Sequence, residues 1–254
     1  MVTKDIHEEG FQGRWVSINN FEQELTILYC HGGGFTVGSA LTHQNFASRL
    51  ASQAGAKSLV LNLSLAPEHP YPKQLQETLK AYDWLLGQMN PDNIVLAGDS
   101  SGATLVLSAL GKMVDAATPL PRSAVLVSPW TDLTHSGPSI QALKQKDPMV
   151  QVETLKKWAL NYAPEDRLQD PFVSPCFRDL TGFPPMLVCV SDSEILYSDS
   201  TRLYDKAKAA GVPITMITEK RALHVWPIFH NSIPEGRKTL EVMAQFMVDF
   251  PPSA

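Results

Sequence analysis

The stretch Asn93-Ile-Val-Leu-Ala-Gly-Asp-Ser-Ser-Gly-Ala-Thr-Leu105 reads as an apolar strand that empties into a glycine-flanked serine and then into a helix. Ile94 to Ala97 is a short continuous apolar run, and Thr104 to Met113 has the pattern of a buried helix. Between them, Gly98-Asp99-Ser100-Ser101-Gly102 is a G-x-S-x-G pattern. A serine on a sharp strand-to-helix turn has strained backbone angles, and its neighbours must approach one another across the turn, so side chains at Gly98 and Gly102 would collide. The result is a hydroxyl at the carboxyl edge of a sheet, above a helix N-terminus whose unpaired N–H groups favour negative charge. Ser100 is therefore a candidate nucleophile.

A chain of 254 residues has room for one large α/β domain with a sizeable core. Hydrophobic residues make up 44% and charged residues 19%, and the net charge of -5 argues against nucleic acid as a partner. Residues 1–10 hold no apolar segment of signal-peptide length, and no uncharged apolar run is long enough to span a bilayer. Stable membrane insertion is not expected, and a cytoplasmic location is. Cys30, Cys176 and Cys189 read as core residues and not as metal ligands or a nucleophile.

Upstream of the serine, Phe11 to Ile18 and Leu25 to Cys30 are β-type runs separated by Asn19-Asn20, which predicts an opening pair of neighbouring strands. The second run empties into His31-Gly32-Gly33-Gly34-Phe35. Three glycines cost backbone entropy, so their place at a strand's carboxyl end points to close backbone approach with N–H groups turned inward, as an oxyanion hole requires. His43 to Ala54 reads as a helix, Lys57 to Leu63 as a strand and Gln74 to Met89 as a second helix. Between the last two, the prolines of Ala66-Pro67-Glu68-His69-Pro70-Tyr71-Pro72 predict a rigid, non-helical crossing.

Downstream, Ser123 to Ser128 is a strand that ends at Pro129-Trp130. Residues 131–180 then break the rhythm with Asp132, a helical stretch from Glu153 to Tyr162, and several proline-bearing pieces. An excursion at a strand's carboxyl end lies where ligands bind in open α/β sheets, so it is expected to form a partial lid. The rhythm resumes with Pro185 to Ser191 (strand), Ser200 to Ala210 (helix), Ile214 to Thr218 (strand) and Arg237 to Phe250 (closing helix). This alternation predicts one mostly parallel sheet of about seven or eight strands with helices on both faces.

A serine nucleophile needs a base, and the base needs an acid to orient it; on such a sheet their chain order is Ser, then Asp or Glu, then His. Ser191-Asp192-Ser193-Glu194-Ile195-Leu196 follows one strand, and Arg221-Ala-Leu-His224-Val-Trp226 follows the next. A parallel sheet brings both loops to the rim that carries Ser100. His224 is the candidate base. Spacing alone does not separate Asp192, Glu194 and Asp199 as the acid. His31 is expected to hold the glycine loop by hydrogen bonding. His43, His69 and His135 have no partner at metal-ligand spacing and read as structural, and His230 reads as a packing residue.

With these residues in view, the chain resembles the hormone-sensitive-lipase-like (bacterial type IV) carboxylesterases of the α/β-hydrolase fold. The resemblance runs from Phe11 onward through His31-Gly-Gly-Gly-Phe35, Leu65-Ala-Pro-Glu-His-Pro70, Gly98-Asp-Ser-Ser-Gly102, Ser128-Pro-Trp130, Asp170-Pro-Phe-Val-Ser-Pro175, Glu194-Ile-Leu196 and His224-Val-Trp226. It implies Ser100 as nucleophile, His224 as general base, and an oxyanion hole built from the backbone N–H groups of Gly32, Gly33 and Ser101. It also favours Glu194 as the acid, because the family's acid stands two residues before a leucine and that place, before Leu196, is Glu194. Asp192 is the runner-up, and Asp199 is expected to cap or support the following helix.

The chain also departs from the family pattern. Leu63 and Ser64 stand where a Tyr-Arg pair is usual, which removes a structural charge partner. Ser101 and Ala103 replace alanine and glycine, and Ser101 is expected to use only its backbone N–H. Members usually carry cap helices ahead of the first strands; residues 1–10 are expected to be a short remnant of these, leaving a reduced cap and a wider, wetter acyl pocket.

The activity so implied is hydrolysis of short-chain carboxylic esters through an acyl-enzyme, with a small-molecule ester as substrate and no metal or cofactor. A homodimer through the last strand and closing helix is also implied. The same site would serve acyl transfer to an alcohol, or hydrolysis of amides or lactones. A non-catalytic ligand-binding receptor of this fold is disfavoured by the presence of both Ser100 and His224.

Overall fold

Continuous apolar strands are stable only where helices cover both faces of their sheet, and this requirement sets the architecture. The computed structural model describes residues 1–249. In chain order the elements are β1 (Val2–Glu8), β2 (Phe11–Ser17), β3 (Thr26–Cys30), α1 (Ala40–Gln53), β4 (Lys57–Leu61), α2 (Lys73–Leu86), β5 (Ile94–Asp99) and α3 (Ser101–Asp115). They continue with β6 (Ser123–Val127), α4 (Ser139–Ala142), α5 (Val152–Tyr162), β7 (Met186–Ser191), α6 (Tyr197–Ala209), β8 (Ile214–Glu219) and α7 (Pro234–Asp249). The expected end of the closing helix at Phe250 lies outside the described residues.

The strands form one eight-stranded sheet in the order β1-β2-β4-β3-β5-β6-β7-β8. The β1–β2 and β2–β4 pairs are antiparallel and all later pairs are parallel. Every residue of β3, β5, β6 and β7 is buried. Alternate side chains feed two cores. Leu28, Leu96, Leu126 and Val188 point to one face, with Tyr82, Leu107 and Leu203 from the helices that cover it. Ile27, Val95, Val125 and Leu187 point to the other, against Phe46 and Leu50 of α1 and Leu240 and Met243 of α7. The cysteines are unpaired and buried, and burial pushes the Cys30 thiol up to about 12, so it packs as an apolar group.

One expectation needs correction. The opening strands β2 and β3 are not neighbours, because β4 lies between them, antiparallel to β2 and parallel to β3. The connection through residues 18–25 is too long for a tight hairpin and lets the chain cross over the place β4 takes. Within residues 1–10, Val2–Glu8 is an edge strand paired with β2 from Val2↔Ser17 to Glu8↔Phe11.

The excursion of residues 131–180 carries α4 and α5 and is tied down at both ends. The Asp199 carboxylate accepts the N–H groups of Thr131 (2.7 Å) and Asp132 (2.9 Å), and Cys176 N–H donates to Thr131 O (3.0 Å). Asp199 therefore bridges to the excursion from the first turn of α6, a different task from capping that helix. Burial, followed by the nearby Asp132 charge, pushes the Asp199 carboxyl up to about 7.

A folded state that keeps this proton up to about pH 7, while the unfolded chain releases it near about pH 4, loses stability as pH rises through that window. Asp199→Asn keeps an oxygen for the Thr131 and Asp132 amides. It should flatten the fall in thermal midpoint between about pH 4 and about pH 7, as read by calorimetry; an unchanged slope would point to another group.

Candidate active site

Ser100 sits where β5 turns into α3, with φ 51° and ψ -120°. Its N–H donates to Val127 O (2.8 Å), and its carbonyl accepts Trp130 N–H (3.3 Å), so the strained turn is held from β6. The flanking glycines are there for close approach: a Cβ on Gly98 would meet the Gly102 backbone at 2.7 Å, and one on Gly102 would run into the Cys30 and His31 carbonyls.

The glycine loop after β3 lies beside this turn. Gly33 (φ 117°), Gly34 (φ 59°) and Phe35 (φ 62°) are all left-handed, which turns successive amides toward the same side. Of these amides, Gly32 N–H donates to Asp99 Oδ1 (3.0 Å), and Phe35 N–H donates to Ser101 Oγ (3.1 Å). The Gly32 amide, expected as an oxyanion donor, is thus engaged by the carboxylate one residue before Ser100. The N–H groups of Gly33, Gly34 and Ser101 have no protein acceptor among the described residues. The Ser101 hydroxyl anchors the loop. Burial pushes the His31 imidazole down to about 4, so it is neutral, and its Nδ1–H donates to Gly32 O (2.8 Å).

Glu194, in the loop after β7, is 1% exposed. Its Oε1 accepts Ser191 N–H (2.7 Å) and Ser128 Oγ–H (3.0 Å), and its Oε2 lies 2.5 Å from His224 Nδ1. Burial pulls the His224 imidazole down, but the bond to Glu194 and its charge outweigh this and hold it above its ordinary value. Asp192 turns elsewhere: its Oδ1 accepts Arg221 N–H (2.8 Å) and Ser193 Oγ–H (3.0 Å). Ser128, given no role of its own within Ser128-Pro-Trp130, both donates to Glu194 and accepts Val225 N–H (3.0 Å), and so clamps the loops after β6, β7 and β8 together.

Ser100, His224, Gly32, Gly33 and Gly34 line one cavity of about 550 Å³ together with Leu155 and Trp158 of α5. Trp158 lies over Gly34 so closely that a Cβ there would enter its ring. Phe35 stacks on Tyr162 with ring centroids 3.7 Å apart. Among the described residues no group of three or more His, Cys, Asp or Glu side chains is placed to hold a metal ion. No helix among them is long and apolar enough to cross a membrane.

Residues 27–228 match the model of a family described as having the alpha/beta hydrolase fold. The chain belongs to the α/β-hydrolases of the bacterial hormone-sensitive-lipase type. Among similar proteins, an acetyl-hydrolase of Streptomyces hygroscopicus is 39% identical over 87% of this chain and 75% of its own length. An esterase of Acinetobacter venetianus is 34% identical over 96% of this chain and 80% of its own. A solved esterase of the bacterial hormone-sensitive lipase family superposes with a TM-score of 0.95 at 35% identity, covering 98% of this chain and 84% of that one. The esterase EstE5, in crystals soaked with p-nitrophenyl butyrate, gives 0.94 at the same identity and coverage. The chain is accordingly an ester hydrolase.

Asp147 joins the excursion of residues 131–180 in this hydrolase to the loop that bears Glu194. Its Oδ1 accepts the N–H groups of Met149 and Val150, both cavity-lining, and its Oδ2 accepts Ile195 N–H, each at 2.9 Å. Asp147→Ala should cost about 3 kcal/mol in urea unfolding, since buried amides lose a charged acceptor. It should also increase hydrogen exchange at Met149 and Val150.

Proposed function

We propose that the protein is a serine carboxylesterase for short-chain esters. In this reading Ser100 is the nucleophile, His224 the base and Glu194 the acid that orients it, and the amides of Gly33, Gly34 and Ser101 hold the oxyanion. The observation that carries the reading is the Glu194–His224 contact of 2.5 Å, made by an imidazole that shares its cavity with Ser100.

In the first step Ser100 gives its hydroxyl proton to His224, and its oxygen bonds to the ester carbonyl carbon. The carbonyl oxygen becomes an oxyanion against the three amides, at the positive end of α3. Collapse of this intermediate breaks the carbon–oxygen bond to the alcohol, which leaves with the proton from His224. A water molecule, deprotonated by His224, then attacks the acyl-Ser100 ester, and collapse returns the proton to Ser100 and frees the acid. Glu194 stays ionised throughout and stabilises the imidazolium.

Ser100→Ala should abolish both turnover of p-nitrophenyl acetate and labelling by a fluorophosphonate; retention of near-parent turnover would sink the assignment. Glu194→Gln should lower kcat by about 100-fold or more, with Asp192→Asn near the parent. Because His224 must be neutral to accept a proton, activity rises with pH through its raised pKa. In Glu194→Gln the residual activity should therefore rise at lower pH than in the parent.

Short acyl groups fit a cavity of about 550 Å³ into which the bulky side chains of Trp158 and Leu155 project, and the Streptomyces relative is named an acetyl-hydrolase. In a series of p-nitrophenyl esters, kcat/KM should be greatest at acetate or butyrate and at least about tenfold lower at decanoate. A preference for long chains would contradict this.

A further inference from the structure

Asp99, the residue before Ser100, is 3% exposed and fully inside the protein, yet its carboxylate is the acceptor around which the glycine loop is arranged. Its Oδ1 accepts Tyr29 Oη–H (2.7 Å) and Gly32 N–H (3.0 Å), and His43 Nε2 stands 3.6 Å from the same oxygen. A buried carboxylate without a counter-charge is costly, and neutral donors offset only part of that cost. Two imidazoles are near. His31 is neutral and occupied with Gly32 O. His43 stacks on His31 with ring centroids 5.4 Å apart, its Nδ1 is 2.8 Å from Thr42 Oγ1, and it lines the catalytic cavity beside Asp99 and Ser100. Burial pulls the His43 imidazole down, but the Asp99 charge outweighs it and holds the group above its ordinary value.

We propose that His43 is a positioning residue for ester hydrolysis: as the cation opposite Asp99 it neutralises a buried negative charge next to Ser100 and lets that carboxylate hold the Gly32 end of the oxyanion loop. This rests on the reading of Ser100 as nucleophile. Without the cation, an uncompensated carboxylate would stand one residue from the group on which negative charge develops, and would raise the barrier through the low-dielectric interior. The Gly32 amide would lose a fixed partner at the same time, and the Gly33 and Gly34 amides would lose their aim.

The test is a cycle of His43→Gln, Asp99→Asn and the double variant, read as kcat and KM for p-nitrophenyl acetate, with Ser100→Ala in parallel and thermal midpoints for each. His43→Gln should lower kcat by about 30- to 100-fold with KM within about threefold, since the loss is confined to the transition state. Adding Asp99→Asn removes the charge but leaves an oxygen for Tyr29 and Gly32, so the double variant should recover at least about fivefold of that kcat. A purely structural His43 would give no such recovery. The proposal is overturned if His43→Gln keeps kcat within about threefold of the parent, or if the double variant is no faster than the single. Should His43→Gln fail to fold, the double variant decides alone: kcat within about twentyfold of the parent supports the proposal, and a larger loss overturns it. An active Ser100→Ala would instead remove the reading on which the proposal rests.

Discussion

The site depends on a carboxyl group buried in the interior. Glu194 is 1% exposed, and burial of so polar a group is tolerable only when its oxygens are met by partners. One oxygen receives Ser191 N–H and Ser128 Oγ–H, the other faces His224 Nδ1, and these donors come from the carboxyl ends of β6, β7 and β8. The parallel order of those strands brings the three loops to one rim. Ser128 also accepts Val225 N–H, so the imidazole's own loop is fixed by the hydroxyl that helps hold its partner. Residues 66 and 97 positions apart are thereby joined through one side chain.

A second buried carboxylate organises the other half of the rim. Asp99 takes Tyr29, Gly32 and His43 around one oxygen, drawing β3, the glycine loop and α1 toward the serine turn. The excursion of residues 131–180 packs against both halves. Tyr162 stacks on Phe35 and its carbonyl accepts Tyr71 N–H (2.7 Å), while Asp147 reaches the loop that bears Glu194. The cavity is thus bounded by side chains fixed through polar contacts at its base and by apolar packing at its roof.

The elbow was legible in the sequence because only glycine fits at positions 98 and 102, and the acid and base loops were legible because strands alternate with helices in a strict order. The edge strand β1 was not, since Thr3, Lys4, Asp5, His7 and Glu8 are exposed and leave no apolar alternation to read. The loop's glycines announced a cradle, but which amides face the cavity depends on where the Asp99 side chain turns, and spacing carries no such information. Ser128 was quoted within a motif and its double contact is visible only in three dimensions. The missing arginine near residue 64 has a similar resolution: Glu77 instead receives Ser64 N–H (2.9 Å) and Ser64 Oγ–H (2.5 Å), with Lys73 Nζ at 3.3 Å.

The Ser101 hydroxyl, which receives Phe35 N–H at 3.1 Å, fuses the serine turn and the glycine loop into a single rigid body across the strands that carry them. Preorganised dipoles lose their advantage when they must reorient as charge develops, and this bond removes that freedom between nucleophile and cradle. The segment bearing α4 and α5 meets this fused body from the other side, bringing Met149, Val150, Leu155 and Trp158 to the same cavity.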